Sequence, residues 1–357
     1  MIPGPARGNS STVRWLSRHH VHDESGRLTG LVLLAVVLWL AAGVGMCYVA
    51  GFGTVQSRLG DFRWPWLIGV AGGLGLGFVG YYLAYRGIEQ VEGGPDLDEP
   101  SLRAVVTAGW GGFLAHGGAA LDDFAMRAGG VSDREANVRV SALAGFEHGV
   151  MAIGASAAAI AVLVAGIGRP TPDFTLPWAI LPALGFALAF WAAERYRNRL
   201  RDRKGWRGKT GVFLDAIHLT RELFRRPRDN DWAALGMALY WVGDFFALWA
   251  ALAAFGFHMN VASFTVAAAT AMIVTRRTGP LGGAGILTVA LVPTIWYSGA
   301  PWAAAALGVA AFRGLSLLLP LPFSLAMLPR LRALGEKGEE TPGYGTSSDE
   351  GEPALEH

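Results

Sequence analysis

Six stretches of this 357-residue chain are apolar for about the length needed to cross 30 Å of hydrocarbon, and they limit it to one class of fold. They run from Leu28 to Ala50, Trp64 to Tyr85, Val138 to Gly166, Leu176 to Ala193, Trp232 to Phe255 and Pro301 to Leu328. Only helices and closed barrels satisfy every backbone polar group in lipid, and runs of this length are helices. The hydrophobic fraction of 52% agrees, so the expected class is an all-α integral membrane protein. Two further apolar regions, Leu102 to Met126 and Phe264 to Tyr297, are interrupted by glycine and charge.

Charge is distributed unevenly. About a dozen of the 30 Lys and Arg residues lie in the segment that follows the fourth span, around RYRNRLRDRKGWRGK and RELFRRPR. The positive-inside rule puts this linker (195–230) in the cytoplasm, with both termini, so the chain is expected to be multi-pass in the cytoplasmic (inner) membrane. Within the linker, Val212, Ala216, Leu219 and Leu223 share one helical face among basic neighbours. That pattern fits a helix on the anionic inner leaflet, and equally a solvated linker helix. The basic segment before Leu28 (1–27) is too long and hydrophilic for a cleaved signal, so the first span is expected to stay. The acidic Gly/Ser/Pro-rich tail (331–357) reads as disordered.

With this orientation, the first interrupted region must begin and end inside, and the second must begin and end outside. Each is most simply a re-entrant pair of half-helices, about 102–128 and 263–297. Shifting the chain by 165 residues lays His116-Gly117-Gly118 on Leu281-Gly282-Gly283 and Glu147-His148-Gly149 on Phe312-Arg313-Gly314. The expected architecture is therefore two inverted-topology repeats, 28–168 and 169–330, with six full spans and two re-entrant hairpins. Transporters of this design place a site near the bilayer midplane between the halves.

Ionisable residues inside spans are costly and normally face a bundle interior or cavity. Here they are His116, Asp122, Asp123 and Arg127 on the first hairpin, Glu147 and His148 on the next span, Asp244, Arg276 and Arg277 on the second hairpin, and Arg313 on the last span. On facing helices Glu147 and Arg313 are natural partners. Either they fix helix packing as a buried pair, or they line a cavity and contact a polar substrate. His148 lies about 100° around the helix from Glu147, so one is expected to face the cavity and the other a neighbouring helix. Gly117, Gly118, Gly282 and Gly283 fall where each hairpin turns, and suit either close helix packing or an anion at a half-helix N-terminus. Arg276 offers a fork of donors for a lipid phosphate, and Asp122 suits a cationic headgroup or a coupling proton.

Enzyme signatures are weak. GKT at Gly208 to Thr210 lacks the first glycine of a phosphate loop, HExxH and GxSxG are missing, and the single cysteine, Cys47, offers no cysteine metal site. His116 with Asp122 is the one acid/base pairing available, for a membrane-embedded lipid-modifying enzyme. No cofactor and no metal is expected.

The organisation from Leu28 to Leu328 resembles the lysylphosphatidylglycerol synthase transmembrane region, the flippase domain also found free-standing in the YbhN-like group. FEH supplies Glu147 with His148 in place of the usual Arg, GPLGGAG supplies Gly282, Gly283 and Gly285, and FRG supplies Arg313. Departures are Thr288 where a Glu often follows the second glycine motif, and Asp122-Asp123 where a Glu and an Arg are usual. The resemblance implies movement of a phospholipid, aminoacyl-phospholipid or polyprenyl-linked glycolipid between leaflets. The aminoacyl-transfer domain of the fused enzymes is missing, so lipid synthesis is not implied. The competing reading is a small-solute or ion transporter on the same scaffold. Expected partners are the membrane lipid substrate, anionic inner-leaflet lipids at the linker, a separate lipid synthase and a second copy of the chain; no nucleic acid is expected.

Overall fold

A computed structural model of the chain describes residues 21–89, 94–95, 97–110, 118–200, 203, 205–225, 231–275 and 285–340. Among these the structure is helical, with no strand. The helices are α1 (Val21–Ala50), α2 (Phe52–Gly60), α3 (Pro65–Glu89), α4 (Glu99–Gly109), α5 (Gly118–Ala128), α6 (Asp133–Ala165) and α7 (Pro172–Leu200). They continue with α8 (Trp206–Arg225), α9 (Asp231–Ala254), α10 (Val261–Thr275), α11 (Leu287–Tyr297), α12 (Trp302–Leu318), α13 (Leu321–Ala326) and α14 (Leu328–Glu340). Six helical segments are long and apolar enough to cross a membrane, in α1, α3, α6, α7, α9 and the α12–α13 run, so the protein is a multi-pass membrane protein.

The closest crossing in the bundle is between α3 and α9. Small residues recur on α3 at Gly69, Gly73, Gly77, Gly80, Ala84 and Gly87, and on α9 at Ala233, Gly236, Gly243, Ala247 and Ala250. Spacings of three, four and, between Gly236 and Gly243, seven residues keep each set on one helical stripe. Gly73 faces Gly243 and Ala247, Gly80 faces Gly236 and Tyr240, and Gly87 faces Ala233, so the pair is antiparallel. A Cβ on Gly80 would lie 2.3 Å from the Tyr240 nitrogen and 2.5 Å from the Gly236 carbonyl oxygen. Lipid gives no hydrophobic reason for two helices to associate, so backbone-on-backbone packing of this kind supplies the attraction.

The other spans arrange around this pair. α12 lies against α9 and carries α1 on its outer side, while α6 lies against α9, α10 and α7. α1 is tied to α12 at two indoles, Trp39 donating to the Ala310 carbonyl at 2.9 Å and covering Gly314, and Trp302 donating to the Met46 carbonyl at 3.0 Å, and by Ala35 packed on Leu317. Much of α1 otherwise faces outward, with Leu33, Val37, Val44, Tyr48 and Val49 exposed. α6 is about 50 Å long and overshoots the hydrocarbon. Ser132 caps its start by accepting from the Glu135 N–H, and Gly166 ends it at φ 64, in the left-handed region. On the overshooting turns Arg139, 1% exposed, donates to the Ile88 carbonyl at 3.1 Å and pairs with Glu135, tying α6 to the C-terminal end of α3.

The two interrupted regions each form two short helices. α4 and α5 have 11 residues each, α10 has 15 and α11 has 11. At 1.5 Å per residue these reach about 16 to 22 Å, and none spans the hydrocarbon alone.

Three expectations need revision. α1 begins at Val21, so helix enters the segment assigned to the polar N-terminus. The tail expected to be disordered from residue 331 is helical to Glu340, because Leu331 and Leu334 are buried and α14 packs on α4 and α5. The apolar stripe of the linker helix is turned to protein: in α8, Val212, Ala216 and Leu219 pack with Val138 and Ala142 of α6, and Leu223 joins the main core. The outward residues of α8 include Trp206, Arg207, Lys209 and Phe213.

On α8, burial first, and then the charge of Arg197, hold His218 below its ordinary pKa of 6.5. The fold therefore favours the neutral imidazole, and this contribution is complete above pH 6.5 and lost as pH falls through the folded value. Thermal unfolding of the purified protein between pH 7.5 and 5 should show a loss of stability that His218→Asn flattens. At the central crossing, Gly80→Ala should cost about 1–3 kcal/mol of overpacking in denaturant unfolding. Gly72→Ala, on the same helix with nothing within 4 Å, should be near neutral.

Candidate functional site

By residue count Glu147, Asp244 and Arg313 each lie near the middle of a spanning helix, α6, α9 and α12 respectively. α9 packs against both other helices, and Asp244 interacts electrostatically with Arg313 and with Glu147. Glu147 and Arg313, expected as partners, each interact with Asp244. Asp244, expected from sequence to be one of the substrate-binding residues, is the group that interacts with both.

Glu147 is 4% exposed and directed to α9. Its carboxylate accepts from the Tyr240 hydroxyl at 3.4 Å, and its backbone carbonyl accepts from the Trp241 indole at 2.8 Å. Sequential residues of α9 therefore grip one residue of α6 by side chain and by backbone. His148 is half-buried and bonds back to its own helix, with Nδ1 2.8 Å from the Ala144 carbonyl oxygen. A bond to a carbonyl requires the proton on Nδ1, so Nε2 is the nitrogen left for other partners in the neutral ring.

The two aspartates of α5 separate in the same way. Asp122 is 4% exposed and accepts from the Tyr81 hydroxyl of α3 at 3.3 Å. Asp123 pairs instead with Arg127 one turn on, at 2.9 Å, and Arg127 also reaches Asp133 at the start of α6. Adjacent residues on a helix diverge by about 100°, which sends Asp122 inward and Asp123 to an ion pair at the rim.

Tyr81 and Tyr240 join these parts into one line. Their rings pack across the α3–α9 crossing with centroids 5.4 Å apart, and each hydroxyl donates to a carboxylate. The order through the bundle is Asp122, Tyr81, Tyr240, Glu147, then Asp244 and Arg313. Asp244, Arg313, Tyr81 and Tyr240 are all partly exposed, whereas Asp122 and Glu147 are buried. Such an arrangement sets carboxylates and a guanidinium beside aromatic rings, the chemistry that could hold a polar or charged group.

Neither tyrosine was singled out from sequence. A signal existed for Tyr240, since Tyr in a span is usually found near the headgroups and this one lies well inside. Thr288, fully buried on α11, occupies the place where the resemblance leads one to seek a Glu. His116, Gly117, Arg276, Gly282 and Gly283 lie outside the described residues; Gly118 is the first residue of α5. Among the described residues no group of His, Cys, Asp and Glu is placed to hold a metal ion.

Compared with family models, with curated proteins and with solved structures, the chain matches none.

Removing one hydroxyl from the line should leave a buried carboxylate short of a donor. Tyr81→Phe and Tyr240→Phe are each expected to cost about 1–2 kcal/mol in denaturant unfolding. If the line acts as one network, the double variant will cost measurably less or more than the sum of the two.

Proposed function

We propose that the protein is a lipid transporter that passes an anionic lipid headgroup through the Glu147–Asp244–Arg313 cluster while the acyl chains stay in the bilayer. The observation that carries this reading is the convergence of three ionisable side chains from three spanning helices at mid-depth, centred on Asp244. Burying such a group costs several kcal/mol in a membrane and is rarely retained without use.

The position of Arg313 favours a lipid over a free solute. Its helix, α12, is backed by α1, whose outer face is apolar and exposed and which meets α12 through Trp39 beside Ala310 and Gly314, the Trp302–Met46 hydrogen bond and Ala35 on Leu317. On this side α1 covers α12, with its outer face toward the bilayer. Displacing α1 would open a sideways route for a headgroup that keeps its chains in hydrocarbon, and arginine's forked donors suit a phosphodiester.

Two inverted-topology repeats with re-entrant hairpins remain part of the proposal. A shift of 165 residues carries α3 onto 230–254, the range of α9, and α4 onto 264–274, inside α10. It carries α5 onto 283–293, overlapping α11. The resemblance to the synthase-associated flippase region points to the same substrate class, and cytoplasmic termini in an inner membrane follow from the charge distribution.

The test is headgroup transfer in proteoliposomes, followed with fluorescent phosphatidylglycerol. Arg313→Ala should slow it at least about tenfold, the cost of one charge-assisted contact, with the melting temperature of the detergent-purified variant preserved. Full transfer by a folded Arg313→Ala protein would overturn the proposal, and transport of a water-soluble anion in place of lipid would favour the small-solute reading.

A further inference from the structure

The hairpin of α7 and α8 ends in a tip whose charges the described fold leaves unused. α8 runs back along α7: Arg221 pairs with Glu194 at 3.4 Å and lies over the Phe190 ring, and Phe224 lies with Phe186 against Gly149. This antiparallel course puts the start of α8 beyond Ala193, where the apolar run of α7 ends. At 1.5 Å per residue, Phe213 is about 12 Å and Trp206 about 22 Å along α8 from Arg221, away from that apolar run.

Among the described residues from Arg195 to Phe213 there are six cations and no carboxylate. Arg195, Arg199, Arg203, Arg207 and Lys209 are exposed, and the adjacent acids are taken by other partners, Glu194 by Arg221 and Asp215 by Arg134. Amid these cations Trp206 is 72% exposed and Phe213 61%, and the Arg207 guanidinium lies over the Trp206 ring. Arginine and aromatic side chains together are the composition of a protein–protein contact. The excess of positive charge calls for an anionic occupant. A bilayer is the poorer fit, because its headgroups meet the hairpin near Glu194 and Arg221, where the apolar run of α7 ends, and the tip stands farther out.

The chain carries such an occupant beyond α14. Residues 341–354, outside the described residues, contain Asp349, Glu350 and Glu352, no Lys or Arg, and Pro342 and Tyr344 as apolar groups. α14 lies at the same end of the bundle as the tip. It packs on α4 and α5, Arg127 of α5 pairs with Asp133 in the first turn of α6, and Arg134 beside it pairs with Asp215 of α8 at 2.7 Å. Helices in contact stand about 8–10 Å apart, so this packing path from α14 to α8 measures about 24–30 Å. The stretch from Glu340 to Glu352 extends to about 40 Å, which covers it.

We infer that Asp349, Glu350 and Glu352 dock on the tip of the α7–α8 hairpin, pairing with Arg203, Arg207 and Lys209 beside the Trp206 ring. Exposed ion pairs are individually weak. The tether makes up for this, because a linker of this length holds the segment at an effective concentration on the order of mM. Salt screens such pairs, so the docked state weakens as ionic strength rises. Docked, the segment ties α14, and with it α4 and α5, to α8 across the start of α6.

The experiment uses detergent-purified full-length protein carrying Cys47→Ala with Ser348→Cys and Thr210→Cys, treated with a short bis-maleimide, and reads cross-linked peptides by mass spectrometry. The expected result is a link within one chain whose yield falls at least about fivefold between about 50 mM and about 500 mM salt, as the Debye length shrinks to a few ångström. Asp349→Asn, Glu350→Gln and Glu352→Gln together should lower the low-salt yield by a similar factor. A yield unmoved by salt and by these three substitutions reports collisions of the tether alone and overturns the docking. Links found only between two chains overturn it in favour of a second copy. In proteoliposomes the yield should be the same in phosphatidylcholine and in phosphatidylglycerol; its loss in phosphatidylglycerol alone would replace this segment with the bilayer surface as the occupant. If Thr210→Cys does not fold, Asn198→Cys, exposed near the end of α7, carries the same test.

Discussion

The contact on which the rest of this bundle depends is the crossing of α3 with α9, where Gly73, Gly80, Gly236 and Gly243 let two backbones meet without side chains between them. In water a glycine stripe would be a weak point, since each glycine costs helix stability. In lipid the balance changes, because dispersion contact between backbones is one of the few sources of attraction available to apolar helices. The crossing also sets the site. Tyr81 and Tyr240 project from its two members, and their distance from Asp122 and Glu147 follows from how closely the helices approach.

Around this axis the polar groups occupy a graded environment. At one end of the line Asp122 is buried and tied to a tyrosine; at the other, Asp244 and Arg313 are partly exposed and share charge with Glu147. Ion pairs such as Arg127–Asp123 and Arg134–Asp215 instead lie toward helix ends, outside this line. Pairs of that kind join elements at modest energetic value where water screens them. The mid-span cluster instead lies among spanning helices, where an unbalanced charge is costly.

Much of the fold was legible in the chain because a membrane imposes two strict demands, on length and on backbone satisfaction. Six spans were readable from apolar run length, and Glu147, Asp244 and Arg313 stood out as ionisable residues inside them. The glycine positions of α3 were readable in principle from their three- and four-residue spacing, but an alanine- and glycine-rich chain offers many such stripes, and spacing does not say which one meets another helix. The face of α8 shows a different limit. Val212, Ala216 and Leu219 were correctly seen to lie together, yet an apolar stripe is equally served by a membrane surface and by the side of α6, and the structure turns it to α6.

By itself the sequence determined that this is a helical membrane protein, where its spans lie, and which residues would be costly to bury there. Those properties depend on local composition, which each segment carries with it. Only the tertiary structure decided that Asp244 stands in electrostatic reach of both Glu147 and Arg313, that Asp122 turns inward while Asp123 does not, and that two tyrosines link the carboxylates. These depend on the rotation and separation of helices distant in the chain, and helix rotation is set by packing contacts that no single segment contains.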